Sequence, residues 1–202
     1  GLRTGEMIAL TWDNVDWDKR TLSIEKTMEF RYKRQQFWVA GPPKTMTSYR
    51  TIPLTNRAYE ILREIYATKD TRKQSAALNT VLEYADKRKD KKQKKQFNMS
   101  DLIFINFRTG MPNKNSSYDT HLYKLCDEAG IKRFCMHCLR HTYATRCIEA
   151  GMQPKTQQKL LGHSSLKTTM DRYVHVTDDS MENGIKLFEQ VQLEKGLVAE
   201  SV

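Results

Sequence analysis

Long apolar runs are missing from this sequence. No segment approaches the roughly 18 consecutive apolar residues that mark a membrane-spanning helix. Apolar residues make up 39% of the 202, below the ~45–50% usual for globular domains. Cysteine is scarce, with four residues: Cys126, Cys135, Cys138 and Cys147. The opening Gly1-Leu2-Arg3-Thr4-Gly5-Glu6 has neither a Met nor a signal-peptide pattern and reads like the middle of a larger protein. A disulfide framework is therefore not expected, and a reducing cytosol is. Internal repeats are also absent.

What the chain has instead is charge. Charged residues are 29% of the total, and the net charge is +10. A pI near 9.4 favours a polyanionic partner, of which nucleic acid is the common one. An acidic membrane surface is the weaker alternative, because no basic amphipathic helix with an aromatic face is evident. The charge is uneven: residues 86–95 carry seven bases and two acids, which is half of the net total. That run reads as a solvated loop, and Lys87, Arg88, Lys89, Lys91 and Lys92 within it are candidate DNA-backbone contacts.

The length fits one domain, or one and a fraction, and the pattern predicts a mixed α+β fold. A short helix lies in the first 20 residues. Strand-like segments at 21–27, 37–39 and 49–54 form a small three-stranded antiparallel sheet, with Gly41-Pro42-Pro43 as punctuation. The connection 28–36 is long and basic, with Arg31, Lys33 and Arg34. Thr55 is a fair N-cap for a helix to about Lys69. A helix is expected around 75–86 and a short strand at 102–105. Helices follow from Ser116/Ser117 to about Ala129, from His137 to Ala150, and from Pro154 to near Gly162. The last, over 178–195, carries Met181, Ile185, Phe188 and Val191 in helical phase.

Two segments carry chemistry. On the helix starting at 136, His137, Arg140 and His141 share a face. A titratable imidazole beside a permanent cation suits phosphate chemistry. Further on, Leu160-Leu161-Gly162-His163 places a His on a constrained turn, and Tyr173 follows ten residues later.

Together these segments resemble the catalytic domain of the tyrosine recombinases, the phage integrase family. The pattern is His-x-x-Arg on one helix, Leu-Gly-His after the next, then Tyr. Gly1-Leu-Arg3-Thr-Gly-Glu6-Met resembles the family's first Arg motif. Gly41-Pro-Pro-Lys44-Thr-Met-Thr-Ser-Tyr-Arg50-Thr-Ile-Pro53-Leu54 is similar to the hairpin bearing its Lys. The Gly-Pro-Pro-Lys-Thr hairpin and Pro154-Lys-Thr-x-Gln158 most resemble integrases of conjugative transposons and Gram-positive phages.

The resemblance implies a mainly helical domain with a small antiparallel sheet, spanning residues 1–176. It implies site-specific cutting and rejoining of DNA through a 3′-phosphotyrosyl intermediate, for integration and excision of a mobile element, without cofactor or metal. Arg3 and Arg140 would clamp the two nonbridging oxygens with planar forks. Tyr173 would be the nucleophile, activated because a phenol's pKa is ~10. His137 would be the base and His163 a donor to the phosphate. Lys44 would protonate the departing 5′ oxygen, although Lys26, Lys33 and Arg50 are competing cations nearby. Glu6 would orient the arginines, His141 would support the site, and His175 would be structural. Cys138 stands where the family often has Asp.

The partner implied is double-stranded DNA, with a homotetramer assembling on it in the full-length protein, in the bacterial cytoplasm at the nucleoid. The segment 177–202 would dock on a neighbouring protomer or pack in cis. Because Arg3 is the third residue, the family's N-terminal DNA-gripping domains are expected to lie outside this chain. A different class remains open: a zinc-stabilised, non-enzymatic DNA-binding module using Cys135, His137, Cys138 and His141. So does a recombinase fold kept only for binding DNA.

Overall fold

The computed structural model describes residues 1–32, 36–72, 79–86, 93–165 and 178–194. The chain divides into two compact units, Gly1–Thr169 and Met170–Val202. Among the described residues the first unit begins with α1 (Thr4–Ile8), then β1 (Val15–Asp16), β2 (Thr21–Ile24), β3 (Thr27–Tyr32), β4 (Gln36–Gly41) and β5 (Arg50–Pro53). It continues with α2 (Asn56–Ala67), β6 (Val81–Asp86), β7 (Gln93–Asn98), α3 (Asn115–Glu128), α4 (Met136–Glu149) and α5 (Pro154–Leu161). In the second unit Asp178–Glu194 is a helix, α6.

The expected three-stranded antiparallel sheet exists, with different members. It runs β1-β2-β5, with Leu22 opposite both Val15 and Ile52. The segment 21–27 is not one strand. The chain leaves this sheet after Ile24, and Thr27–Tyr32 pairs with Gln36–Gly41 as a separate hairpin. The basic connection expected at 28–36 is thus mostly strand. Between β2 and β3 lies Lys26, which is 6% exposed. Its ammonium donates to Thr11 Oγ1 at 2.6 Å and Asn14 Oδ1 at 2.8 Å. Burial lowers its pKa first of all, against the raising effect of Asp13 and Glu25.

The helix expected at 75–86 is contradicted where it can be compared. Residues 81–86 form a strand paired in antiparallel register with 93–98, Val81 opposite Asn98 and Asp86 opposite Gln93. Leu82, Tyr84 and Asp86 turn inward, while Val81, Glu83 and Ala85 face out. That period of two was obscured because the partner strand begins inside the basic run. The run is accordingly not all solvated loop: Asp86 is buried and accepts a hydrogen bond from the Tyr49 hydroxyl. Residues 102–105 also form less than a strand. They make isolated bridges, Thr11 to Leu102 and Ile105 to Pro112.

Those bridges organise the core. Ile8, Ala9, Met28, Met99, Leu102 and Ile105 form one buried cluster; Leu10, Val15, Leu22, Ile24, Leu62 and Ile103 form another. The neighbours Leu102 and Ile103 point into different clusters, and Ile103 N–H donates to Leu10 O at 2.9 Å. Burying each such side chain stabilises by roughly 1.5–3 kcal/mol. One extended segment thereby contributes to both clusters, joining Ile8 of α1 in the first and Leu10, just after α1, in the second.

The first helix is shorter than expected, ending at Ile8 ahead of Leu10 and Trp12, while the helices expected over 55–69, 137–150, 154–162 and 178–195 match within about two residues. Thr55 caps α2, its Oγ1 accepting from Ala58 N–H at 3.3 Å. α3 starts at Asn115 with Lys114 as N-cap, ahead of the serines expected to cap it. α5 opens on Pro154 and ends at Gly162 in the left-handed region, φ +64°.

Candidate active site

The C-terminus of α5 is the focal point. The last carbonyls of a helix have no partner in the helix and sit at its negative end. Here three successive carbonyls each receive one arginine. Arg50 Nε donates to Leu160 O at 2.7 Å, Arg140 Nη2 to Leu161 O at 2.6 Å, and Arg3 Nη2 to Gly162 O at 3.2 Å. Residues from the start of the chain, from β5 and from α4 are thus gathered on one helix end. Arg140 also donates to Gly1 O at 2.7 Å and is 5% exposed.

Glu6 balances part of this charge. Its carboxylate accepts from Arg50 Nη2 at 2.8 Å and Arg50 Nη1 at 3.2 Å. It also accepts from Arg3 Nη1 at 2.7 Å and from the Arg3 backbone N–H at 3.0 Å. Glu6 is 2% exposed. Burial alone would push its carboxyl up; the hydrogen bonds and charge of Arg50, then those of Arg3, outweigh that and hold it below the ordinary value. Among the described residues, three guanidinium groups and the Glu6 carboxylate gather beside the turn that begins with Gly162 and His163.

The backbone of that turn is fixed by sequence. Gly162 N–H reaches Lys159 O at 3.2 Å and His163 N–H reaches Gln158 O at 3.1 Å, the closure of a left-handed helix cap. Glycine is required twice over. A Cβ at 162 would lie 3.0 Å from Ser48 Cα and 3.1 Å from Thr47 O, at a positive φ. This close approach brings the Met46–Ser48 turn against α5. Ser48 is fully buried; its hydroxyl takes a hydrogen bond from Arg3 Nη1 at 3.3 Å and donates to Gly162 O at 3.4 Å. Lys44 is exposed on the loop leading into that turn.

On α4, His137 is exposed in the first turn and His141 is half-buried, their rings packed edge to face at 4.5 Å. They share a face, as their spacing requires. Arg3, Glu6, Arg140 and the His163 turn therefore meet, with His137 and His141 on the helix that supplies Arg140. Tyr173, His175, Lys33, Arg34, Lys87, Arg88, Lys89, Lys91 and Lys92 lie outside the described residues. Arg31 is exposed and paired with Glu29 at 2.6 Å.

Residues 1–180 match the phage integrase family. The chain belongs to that family. This integrase-family chain is 27% identical over 205 residues to the transposase from transposon Tn916 of Enterococcus faecalis, covering 98% of the chain and 45% of the relative. It is 26% identical over 201 residues to a XerC-like tyrosine recombinase of Caldanaerobacter subterraneus, covering 92% and 45%. The chain thus spans somewhat under half the length of these relatives. The fold matches the Tn1549 transposon integrase solved with circular intermediate DNA, at TM-score 0.69 and 23% identity over 92% of this chain and 55% of that one. It also matches XerA recombinase, at TM-score 0.59 and 20% identity over 93% and 53%.

The zinc alternative is not supported. Cys135 and Cys138 face each other, Sγ to Sγ 3.6 Å, while the two imidazoles pack on one another. Among the described residues no three His, Cys, Asp or Glu side chains gather as a metal site. Nor is any described helix long and apolar enough to cross a membrane.

Two residues of the site were not singled out from sequence. Arg50 holds Glu6, and Ser48 holds Arg3. Arg50 did leave a signal: it alternates with Ile52 on the inward side of β5, a charge at a core position, which calls for a buried partner. Of the described rivals of Lys44, Lys26 is buried and the Arg50 side chain is 6% exposed, each with partners of its own.

Proposed function

We propose that residues 1–176 are the DNA breaking and rejoining domain of a site-specific recombinase that integrates and excises a mobile element. The observation that carries this is the seating of Arg3, Arg50 and Arg140 on three consecutive carbonyls directly ahead of His163. It fixes two planar forks, Arg3 and Arg140, at one place. A phosphodiester under attack develops charge on two nonbridging oxygens, and that is what such forks stabilise.

In the proposed reaction Tyr173 Oη attacks the scissile phosphorus. A bond forms from Oη to phosphorus, and the bond from phosphorus to the 5′ oxygen breaks. His137 takes the phenolic proton, Lys44 gives a proton to the leaving 5′ oxygen, and His163 donates to the phosphate. Glu6 holds the arginine cluster, with His141 supporting. The 3′-phosphotyrosyl link keeps the ester's energy, so a 5′ hydroxyl of another strand reverses the step. No cofactor or metal enters this chemistry.

Double-stranded DNA is the substrate; the Tn1549 integrase, similar in fold, was solved with transposon DNA. Arg31, Lys33, Arg34 and Lys87 to Lys92 would touch its backbone, giving affinity that falls with salt and little sequence preference. α6, in the segment 177–202, exposes Ile185, Leu187, Phe188, Val191 and Leu193. That apolar surface supports docking on a neighbouring protomer in a tetramer on DNA. The place of work is the bacterial cytoplasm, at the nucleoid.

A nicked suicide duplex carrying the element's end tests the reading. Wild-type chain should accumulate a covalent protein–DNA adduct. Arg3→Lys, which keeps the charge and loses the fork, should slow the adduct about 10²- to 10³-fold, the usual effect of removing one preorganised donor. An Arg3→Lys rate equal to wild type would overturn the clamp.

A further inference from the structure

The cysteine pair at the start of α4 is used by nothing described so far. Cys135 is the N-cap and Cys138 stands in the first turn, with His137 between them. Both thiols are free and half-buried, and their sulfurs lie 3.6 Å apart. The turn joining them is already closed by Cys138 N–H donating to Cys135 O at 2.9 Å. The helix is also fixed from outside: Met136 N–H donates to Asp119 Oδ1 at 2.7 Å.

We propose that Cys135 and Cys138 form a reversible disulfide that switches strand cleavage off by shifting the first turn of the helix carrying His137 and Arg140. A disulfide needs about 2.05 Å between the sulfurs, so closure is a movement of about 1.5 Å within a turn that is preformed. Little loop entropy is lost in so short a ring. Cys135 is the attacking thiol. The N–H and thiol of Cys138, then the N–H of His137, hold its pKa below that of an ordinary thiol, and the thiolate is the reactive form. The other two cysteines, Cys126 and Cys147, are 2% and 7% exposed and stay inert.

The oxidant is a low-molecular-weight disulfide. The Cys135 thiolate attacks one of its sulfurs, forming a mixed disulfide and releasing the first small thiol. Cys138 loses its proton to solvent, and its thiolate attacks Cys135 Sγ, releasing the second small thiolate, which takes up a proton. Two protein thiols are oxidised to one disulfide, and one small disulfide is reduced to two thiols. His137 sits inside the new ring. A displacement near 1 Å at a reacting group can slow a reaction about 10²-fold.

The effect on cleavage rests on the recombinase reading; disulfide formation does not, and the test separates them. The chain is equilibrated with glutathione at graded ratios of oxidised to reduced form, alkylated, and mapped by peptide mass spectrometry, with adduct formation on the suicide duplex followed in parallel. The expected result is a Cys135–Cys138 disulfide, with Cys126 and Cys147 still alkylated after brief unfolding. Adduct formation should fall tenfold or more and recover with dithiothreitol. Cys135→Ser, which keeps a good N-cap, should cleave like the reduced chain and ignore the oxidant; Cys138→Ser should cleave like the reduced chain in dithiothreitol and, in the oxidant, stop at the mixed disulfide of Cys135 with glutathione. Both thiols remaining alkylatable in excess oxidised glutathione overturns the disulfide. A disulfide that forms without slowing cleavage overturns the switch. A reduced chain that makes no adduct overturns the recombinase reading and with it the switch on cleavage, while the thiol map still decides the disulfide.

Discussion

Replacing Arg50 by Met tests how the arginine cluster is held. The Arg50 and Glu6 side chains are 6% and 3% exposed and 2.8 Å apart. Removing one partner of a buried pair leaves an uncompensated charge, at a cost of about 3–5 kcal/mol. In Arg50→Met the Glu6 carboxylate keeps its two bonds from Arg3, which moves the estimate to the low end. Against that, Leu160 O and Ser48 O each lose the donor Arg50 supplied, and methionine fills the volume without replacing it. A loss of about 3 kcal/mol is expected. For a domain of this size that lowers the melting temperature by about 6–12 °C. Urea unfolding followed by circular dichroism measures it as a fall in midpoint with the slope unchanged. Adduct formation should fall as well, because Arg3 shares both Glu6 and the α5 terminus with Arg50. A stability loss below about 1 kcal/mol would refute the claim that this pair anchors the site.

Two further outcomes follow from the same geometry. Glu6 has a folded pKa below its unfolded value of ~4.3. The unfolded chain therefore binds its proton first as pH falls, so the stabilisation is fully present above pH ~4.3 and is lost on descending through the folded pKa. Urea midpoints measured from pH 7 to pH 3 should show Glu6→Gln less stable than wild type at neutral pH and the gap narrowing in acid. Gly162→Ala combines a positive φ with close contacts to Ser48 and Thr47, whereas Gly130→Ala meets only its positive φ, +66°. Thermal melts should show a loss of about 1–2 kcal/mol for Gly130→Ala and a clearly larger one for Gly162→Ala, with the latter also impaired in cleavage. Equal losses would mean that the Met46–Ser48 turn does not press on α5.

Much of the candidate site was legible through the family resemblance, because the motifs that carry it are local in sequence. Arg3 with Glu6, His137 with Arg140, and Gly162 with His163 are pairs within one helical turn or one cap, and the helix signals around them are strong. The focal point was not legible, because it is made by contacts between distant segments: Arg3 reaches Gly162, Arg140 reaches Leu161, and Arg50 reaches Leu160. Strand β6 was misread as part of a helix for a related reason. Tyr84 and Leu82 fit either period, and only pairing with a lysine-rich strand, Lys95 opposite Tyr84, decides between them. Lys26 shows the converse. A lysine in a polar stretch gives no warning that the fold will bury it among Thr11, Asn14 and Phe97.

The central claim is that Tyr173 carries the DNA. The direct measurement is to trap the adduct on the nicked duplex, digest both partners, and locate the residual nucleotide by mass spectrometry, alongside the same reaction with Tyr173→Phe. A 3′-phosphonucleotide on Tyr173, and no adduct from the phenylalanine variant, is the expected result. An adduct that persists in Tyr173→Phe, or a nucleotide mapped to any other side chain, would contradict it.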